Sequence, residues 1–239
     1  LAKEKTYEVV PYEGFWQPVK YPWNLLELLP HILHQVKRGH REKGVQVHPT
    51  ATVEGDVVLG EGVRILSYAT IRGPCTIGAG TIVGTGSLIW HSSIGKHCVI
   101  GFGSEIKASV LGDDVWTHTS YIGDSVVGRN VAFGAGCITG NFRLDEGEIS
   151  SEGHKESILT GRTKLGAIIG DNCRIGIQVG LNPGVKVGGG TFIAGSAFVT
   201  EDIAEKSFVC VKNGGIRICP NRSDPPQPQT RGQYRKNVL

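Results

Sequence analysis

Methionine is absent from all 239 residues and the first residue is leucine, so a fragment, a processed chain or modified residues are expected. No apolar run approaches the roughly 20 residues that span a bilayer as a helix, and the N-terminus lacks the basic start, apolar stretch and small-residue cleavage site of a secretory signal. A cytoplasmic protein with no membrane partner is expected. Cysteine is scarce, at six residues. Cys75, Cys98, Cys137, Cys173, Cys210 and Cys219 form no C-x-x-C pair, and their spacings match neither a zinc site nor a small disulfide framework. Free thiols and no metal are the expectation. An excess of one charge is also missing: 25 Lys and Arg against 22 Asp and Glu leave +3, too weak a bias to imply a nucleic-acid partner.

Glycine, by contrast, is abundant at 35 residues, without the every-third spacing of collagen. From Val47 a large aliphatic residue returns every six positions: Val47, Val53, Leu59, Ile65, Ile71, Ile77, Val83, Ile89. Two residues before each stands a smaller one: Val45, Ala51, Val57, Val63, Ala69, Cys75, Thr81, Ser87. A second tract keeps both columns from Ala167 and Ile169 to Ala197 and Val199. A helix would repeat at 3.6 and a meander would need hairpin turns, whereas this period, with glycine after the large residue, fits a short strand and a corner. The expected fold is therefore all-β, a parallel β-helix of hexapeptide repeats with three strands per coil and residues about eighteen apart stacked. Cys75, Cys98 and Cys173 fall in the small inward column and read as structural.

The rhythm slips to five from Ile89 to Ile94, Ile106 to Leu111, and Thr117 to Ile122 to Val127; these slips should deform corners without ending the helix. It vanishes through "TGNFRLDEGEISSEGHKESILTGRTKLGAI", which is read as an extruded loop over 141–166. Residues 1–44, with Trp16, Trp23 and "LLELLPHILHQVKRG", read as a partly helical cap over the open end of the solenoid. Residues 45–212 form the β-helix, and 213–239, proline-rich and basic, a flexible or surface-bound tail.

From Ile94 to Phe133 the residue after each beat is Gly95, Gly101, Lys107, Gly112, His118, Gly123, Gly128 and Gly134. Only Lys107 and His118 depart. If glycine is there for its dihedral freedom, replacing it twice with functional side chains implies a compensating use. His91, His97 and His118 are the candidate ligands of a metal-dependent alternative, but the beat count keeps His97 and His118 from stacking.

The segments "EIKASVLGDDVWTHTSYIGDSVVGRNVAFGAGCITGNFRLDE" and "KLGAIIGDNCRIGIQVGLNPGVKVG" resemble the left-handed β-helix acetyltransferase domain of the bifunctional sugar-1-phosphate nucleotidylyltransferase/amino-sugar-1-phosphate acetyltransferase family, of archaeal type. The likeness covers roughly Val45 to Lys212. "GFWQPVKYPWNLLELLPHIL" is similar to the end of that family's nucleotidylyltransferase domain, whose catalytic part is absent, so nucleotidylyl transfer is not expected.

The resemblance implies acetyl transfer from acetyl-CoA to an amino sugar phosphate, with His118 as general base. It implies substrate contacts at Lys107, Tyr121 and Asn141, and cofactor contacts at Ala135 and neighbouring amides, Gly195 and Lys212. It also implies a homotrimer with sites between neighbouring prisms. Three departures stand out. The asparagine of bacterial members is Ala132 here. No arginine lies between Arg72 and Lys107, where they supply one. The loop lysines of relatives are replaced, leaving Lys155, Arg162 and Lys164. A non-catalytic regulatory or assembly β-helix is the alternative these departures favour.

Overall fold

The computed structural model describes residues 8–35, 39–153 and 156–235. Among these, short strands stack into three parallel sheets that form the sides of a prism of about nine coils, a left-handed parallel β-helix. In chain order the faces begin with Gln46–Val47 (first), Thr52–Glu54 (second) and Val57–Leu59 (third). Successive coils lie in register, as in Gln46 beside Arg64, Thr52 beside Thr70 and Val57 beside Cys75. Each strand alternates, so both columns seen in the sequence point inward: Leu59, Ile71, Val83, Ile89 and Ile106 are fully buried, as are Ala69, Cys75, Cys98 and Cys173. Burial pushes the Cys75 and Cys173 thiols up to about 11 and that of Cys98 to about 12, because a thiolate is poorly solvated there.

The corners correct the dihedral reading of glycine. Gly95, Gly101, Gly112, Gly128 and Gly134 all have ordinary negative φ. What forbids a side chain is the next coil: a Cβ on Gly134 would lie 2.7 Å from the Ile177 nitrogen and 2.8 Å from the Gly176 carbonyl carbon. The left-handed conformation falls later. On six-residue sides it comes three residues after the beat, at Gly80, His97, Asp114 and Asn130; on five-residue sides it comes two after, at His91, Ala108, Thr119 and Asp124. The slips thus shorten corners by one residue, and Lys107 and His118 stand in shortened corners, where the outward side chain clears the coil above.

The helix α1 (Asn24–His34) does not cover the open end. Its buried stripe of Leu26, Leu29 and Leu33 lies along the third face, where Trp23 and Leu26 pack with Ile168 and against Val110 and Val126. The first coil's Val45, Val47, Ala51 and Val53 remain only partly buried. The 141–166 insert leaves the second-to-third corner and folds into a hairpin, Ile149–Glu152 against Ser157–Arg162, whose Ile149 joins the same apolar cluster as Trp23. At the top, Ser207–Lys212 turns back as Gly215–Pro220, an antiparallel edge to the first face. From there to residue 235 the tail lies against the prism. It runs down the third-to-first corner, with Asn221 bonded to the Gly190 carbonyl (2.8 Å), and ends in α2 (Pro228–Arg235). There the Arg231 guanidinium lies 4.4 Å from the Trp116 ring centre and donates to Asn130 Oδ1 at 3.1 Å.

Candidate active site

Coil stacking brings together residues 16 to 20 apart. Lys107 ends the strand Glu105–Lys107 on the second face; one coil up follow Tyr121–Gly123 and Asp124, and one further, Asn141. Lys107 Nζ donates to Asp124 Oδ2 at 2.8 Å, and Asn141 Nδ2 donates to the same oxygen at 2.6 Å and to the Tyr121 hydroxyl at 3.1 Å. Asp124 is 5% exposed, so its charge is tolerable only because these donors answer it. Its backbone joins the parts as well: the amide donates to the Lys107 carbonyl at 2.8 Å, and its own carbonyl accepts from Gly166 at 2.7 Å, where the insert returns. Burial raises the Tyr121 phenol above its ordinary value, the nearby Lys107 charge opposing. Gly123 has no side chain because the Tyr121 hydroxyl (2.5 Å) and the Asn141 amide (2.9 Å) occupy the space a Cβ would need.

His118 stands at the opposite edge of the same face, on the first-to-second corner. It is exposed and opens onto a groove of about 370 Å³ lined by Phe133, Gly134, Arg174, Gly176 and Ala194 among others. Its imidazole bonds to no other described residue, and Tyr121, three residues on, opens the strand that leads across the face to the Lys107 cluster. Above His118 on the same corner come Ala135, Ile177 and Gly195, linked by Gln178 N–H to the Ala135 carbonyl and Ser196 N–H to the Ile177 carbonyl, both 2.8 Å. The Ala135 and Gly195 amides donate to no described residue. The Gly134 amide, expected beside them as a donor, is already spent on the Ile175 carbonyl at 2.8 Å. Lys212 is exposed at the top of this corner.

Three members of the neighbourhood escaped the sequence reading: Asp124, Glu105 and Trp90. Each sat one coil, 16 to 17 residues, from a residue already singled out, and coil counting would have found them. Trp90 is directly beneath Lys107 in register. Of the loop cations, Lys155 lies outside the described residues, Arg162 holds the Lys164 carbonyl (3.1 Å), and Lys164 Nζ lies 5.8 Å from the Phe142 ring centre, beside Asn141. His91, His97 and His118 occupy three different corners, and among the described residues no group of three or more His, Cys, Asp or Glu is disposed to hold a metal. No helix among them is long and apolar enough to cross a membrane.

A family model of the GMPPB C-terminal domain matches residues 39–122. The chain is 34% identical over 214 residues to a bifunctional sugar-1-phosphate nucleotidylyltransferase/acetyltransferase of Sulfurisphaera tokodaii, covering 87% of this chain and 52% of that protein. It is 33% identical over 211 residues to the bifunctional protein GlmU of Methanocaldococcus jannaschii, covering 87% and 51%. The chain therefore spans about half the length of the curated relatives it matches. Among solved structures, a UDP-N-acetylglucosamine acyltransferase from Campylobacter jejuni superposes with a TM-score of 0.50 at 18% identity, covering 72% of this chain and 74% of that one, a likeness of fold. By sequence and by fold, the chain is a hexapeptide-repeat β-helix homologous to the C-terminal half of the bifunctional sugar-1-phosphate nucleotidylyltransferase/acetyltransferases.

Proposed function

We propose that this chain is an acetyl-CoA-dependent N-acetyltransferase of an amino sugar 1-phosphate, of glucosamine or galactosamine type, working as a cytoplasmic homotrimer. The observation that carries the proposal is the second face itself, which has an unpaired imidazole at one edge and a lysine, tyrosine and asparagine joined through one buried carboxylate at the other.

His118 takes the proton from the acceptor ammonium, freeing the lone pair that attacks the thioester carbonyl. The C–N bond forms as the carbonyl becomes a tetrahedral oxyanion. The free Ala135 amide is a donor for that charge. Collapse breaks the C–S bond; the departing CoA thiolate takes the proton from the imidazolium and leaves as the thiol, while the nitrogen gives up its second proton to solvent and becomes the neutral amide. Lys107 attracts the acceptor's phosphate, while Tyr121 and Asn141 orient its ring. The first-to-second corner offers the pantetheine arm a track past Gly195 towards Lys212. The coils of Ala135 and Lys212 are three steps apart, about 14 Å at the spacing of adjacent strands, and an extended arm spans that length. A partner prism beside this corner would wall the site from water.

The test is thiol release from acetyl-CoA with glucosamine-1-phosphate or galactosamine-1-phosphate. Turnover is expected, and His118→Ala should lower kcat by at least about a hundredfold. A folded protein with no turnover on any amino sugar phosphate would replace this proposal with a non-catalytic assembly role.

A further inference from the structure

The Lys107 ammonium is not free: its charge is answered by Asp124 at 2.8 Å, and its side chain is only 14% exposed. An approaching phosphate also meets the Asp124 and Glu105 carboxylates. Charge alone is therefore a weak grip on an acceptor here, and the rest of the surface has to supply recognition.

That surface contains a flat ring. Trp90 ends the strand Leu88–Trp90 with its side chain outward, half-buried, one coil below Lys107. Its indole N–H donates to Glu105 Oε1 at 3.0 Å, and Lys107 Nζ stands 5.5 Å from its ring centre. Glu105 is in turn beside Tyr121 in the coil above. The ring is thus held by a carboxylate, with a cation over one of its faces. Trp23, at the N-cap of α1, is buried in the apolar cluster, and Trp116 carries the Arg231 guanidinium 4.4 Å from its ring centre, closer than Lys107 stands to Trp90, so neither offers such a surface. An indole face with a carboxylate and an ammonium beside it, and a phenol and an amide on the coils above, matches a pyranose: the C–H face of the sugar lies on the ring and its hydroxyls reach the polar groups.

We infer that Trp90 is the platform on which the acceptor's sugar ring stacks, with Glu105 fixing the platform, so that ring shape rather than phosphate charge sets acceptor specificity. The inference rests on the function proposed above. It is tested with Trp90→Ala and Trp90→Phe in the full chain, first confirming that both melt within a few degrees of the parent. With glucosamine-1-phosphate as the probe, Trp90→Ala should raise the acceptor KM on the order of tenfold, with kcat and the KM for acetyl-CoA changed less than twofold. Trp90→Phe should recover the acceptor KM to within about threefold. Inorganic phosphate should inhibit parent and Trp90→Ala alike.

An acceptor KM unchanged by Trp90→Ala, or raised in step with that for acetyl-CoA, would overturn the inference. Calorimetric titration of the same sugar without acetyl-CoA separates the two ideas. Binding without turnover, weakened tenfold by Trp90→Ala, removes the acetyltransferase and keeps the platform. No binding by the parent removes both.

Discussion

Removing the Asp124 carboxylate tests whether one side chain holds the candidate site together. Its Oδ2 accepts from both Lys107 and Asn141, at 2.8 and 2.6 Å, and the residue itself has φ +48°. Alanine strands an ammonium and an amide without an acceptor. Breaking a buried pair from one side costs about 3–5 kcal/mol, and the remaining exposure of Lys107 argues for the lower end. Alanine at a left-handed φ adds roughly 1 kcal/mol that glycine would not. Asparagine tolerates that φ and keeps one acceptor oxygen, losing only the charge.

The expected order of destabilisation is therefore Asp124→Asn at about 1–2 kcal/mol, Asp124→Gly at about 2–3 and Asp124→Ala at about 3–4. At about 2–4 °C per kcal/mol for a chain of this size, the alanine variant melts some 6–16 °C low. Urea unfolding followed by circular dichroism reads the series. If all three variants lie within about 0.5 kcal/mol of the parent, Asp124 does not hold the candidate site together. If alanine matches glycine, the backbone part of the reasoning fails.

The corner geometry predicts that Gly134→Ala loses about 1–3 kcal/mol through collision with the backbone of the coil above, whereas His118→Gly, in a shortened corner, loses under about 1; equal melting temperatures for the two would contradict it. The thiols give a second check. At pH 8 only the half-buried Cys210 and Cys219 should react with a disulfide reagent, with Cys75, Cys98, Cys137 and Cys173 released on unfolding. Because burial lifts the folded-state values of Cys75, Cys98 and Cys173 from 9.0 to about 11–12, their contribution to stability is complete below pH 9 and is lost as pH rises from there through 12. Denaturant midpoints that stay flat across that window would refute the burial argument.

The inward columns were legible because every coil repeats the same steric demand, so Leu59 or Ile106 could be placed by counting. Lys107 and His118 were found as exceptions to glycine, although the reason lay in shortened corners rather than strain. The position of α1 was missed for want of a third count. Val110, Val126 and Ile168 occupy outward positions that are Thr76 and Ser93 in the two coils below and Lys186 in the coil above, and this apolar strip is what the Leu26 side of the helix covers. The tail could not be read from hydropathy, since its anchors are Arg231 on Trp116 and Arg235 on the Gly80 carbonyl rather than an apolar stripe. Asp124 was hidden inside a phrase read for its neighbours.

A stack of coils touching only their neighbours is free to melt from either end, one coil at a time. The strap changes this. Its Arg231 reaches a residue 101 positions back and its Arg235 one 155 back, so fraying of a middle coil releases the chain's last helix, and loss of that helix loosens coils laid down near the start. The tail thereby ties the coil of Gly80 to that of Asn130, and the coils that carry Lys107 and His118 lie between those two anchors.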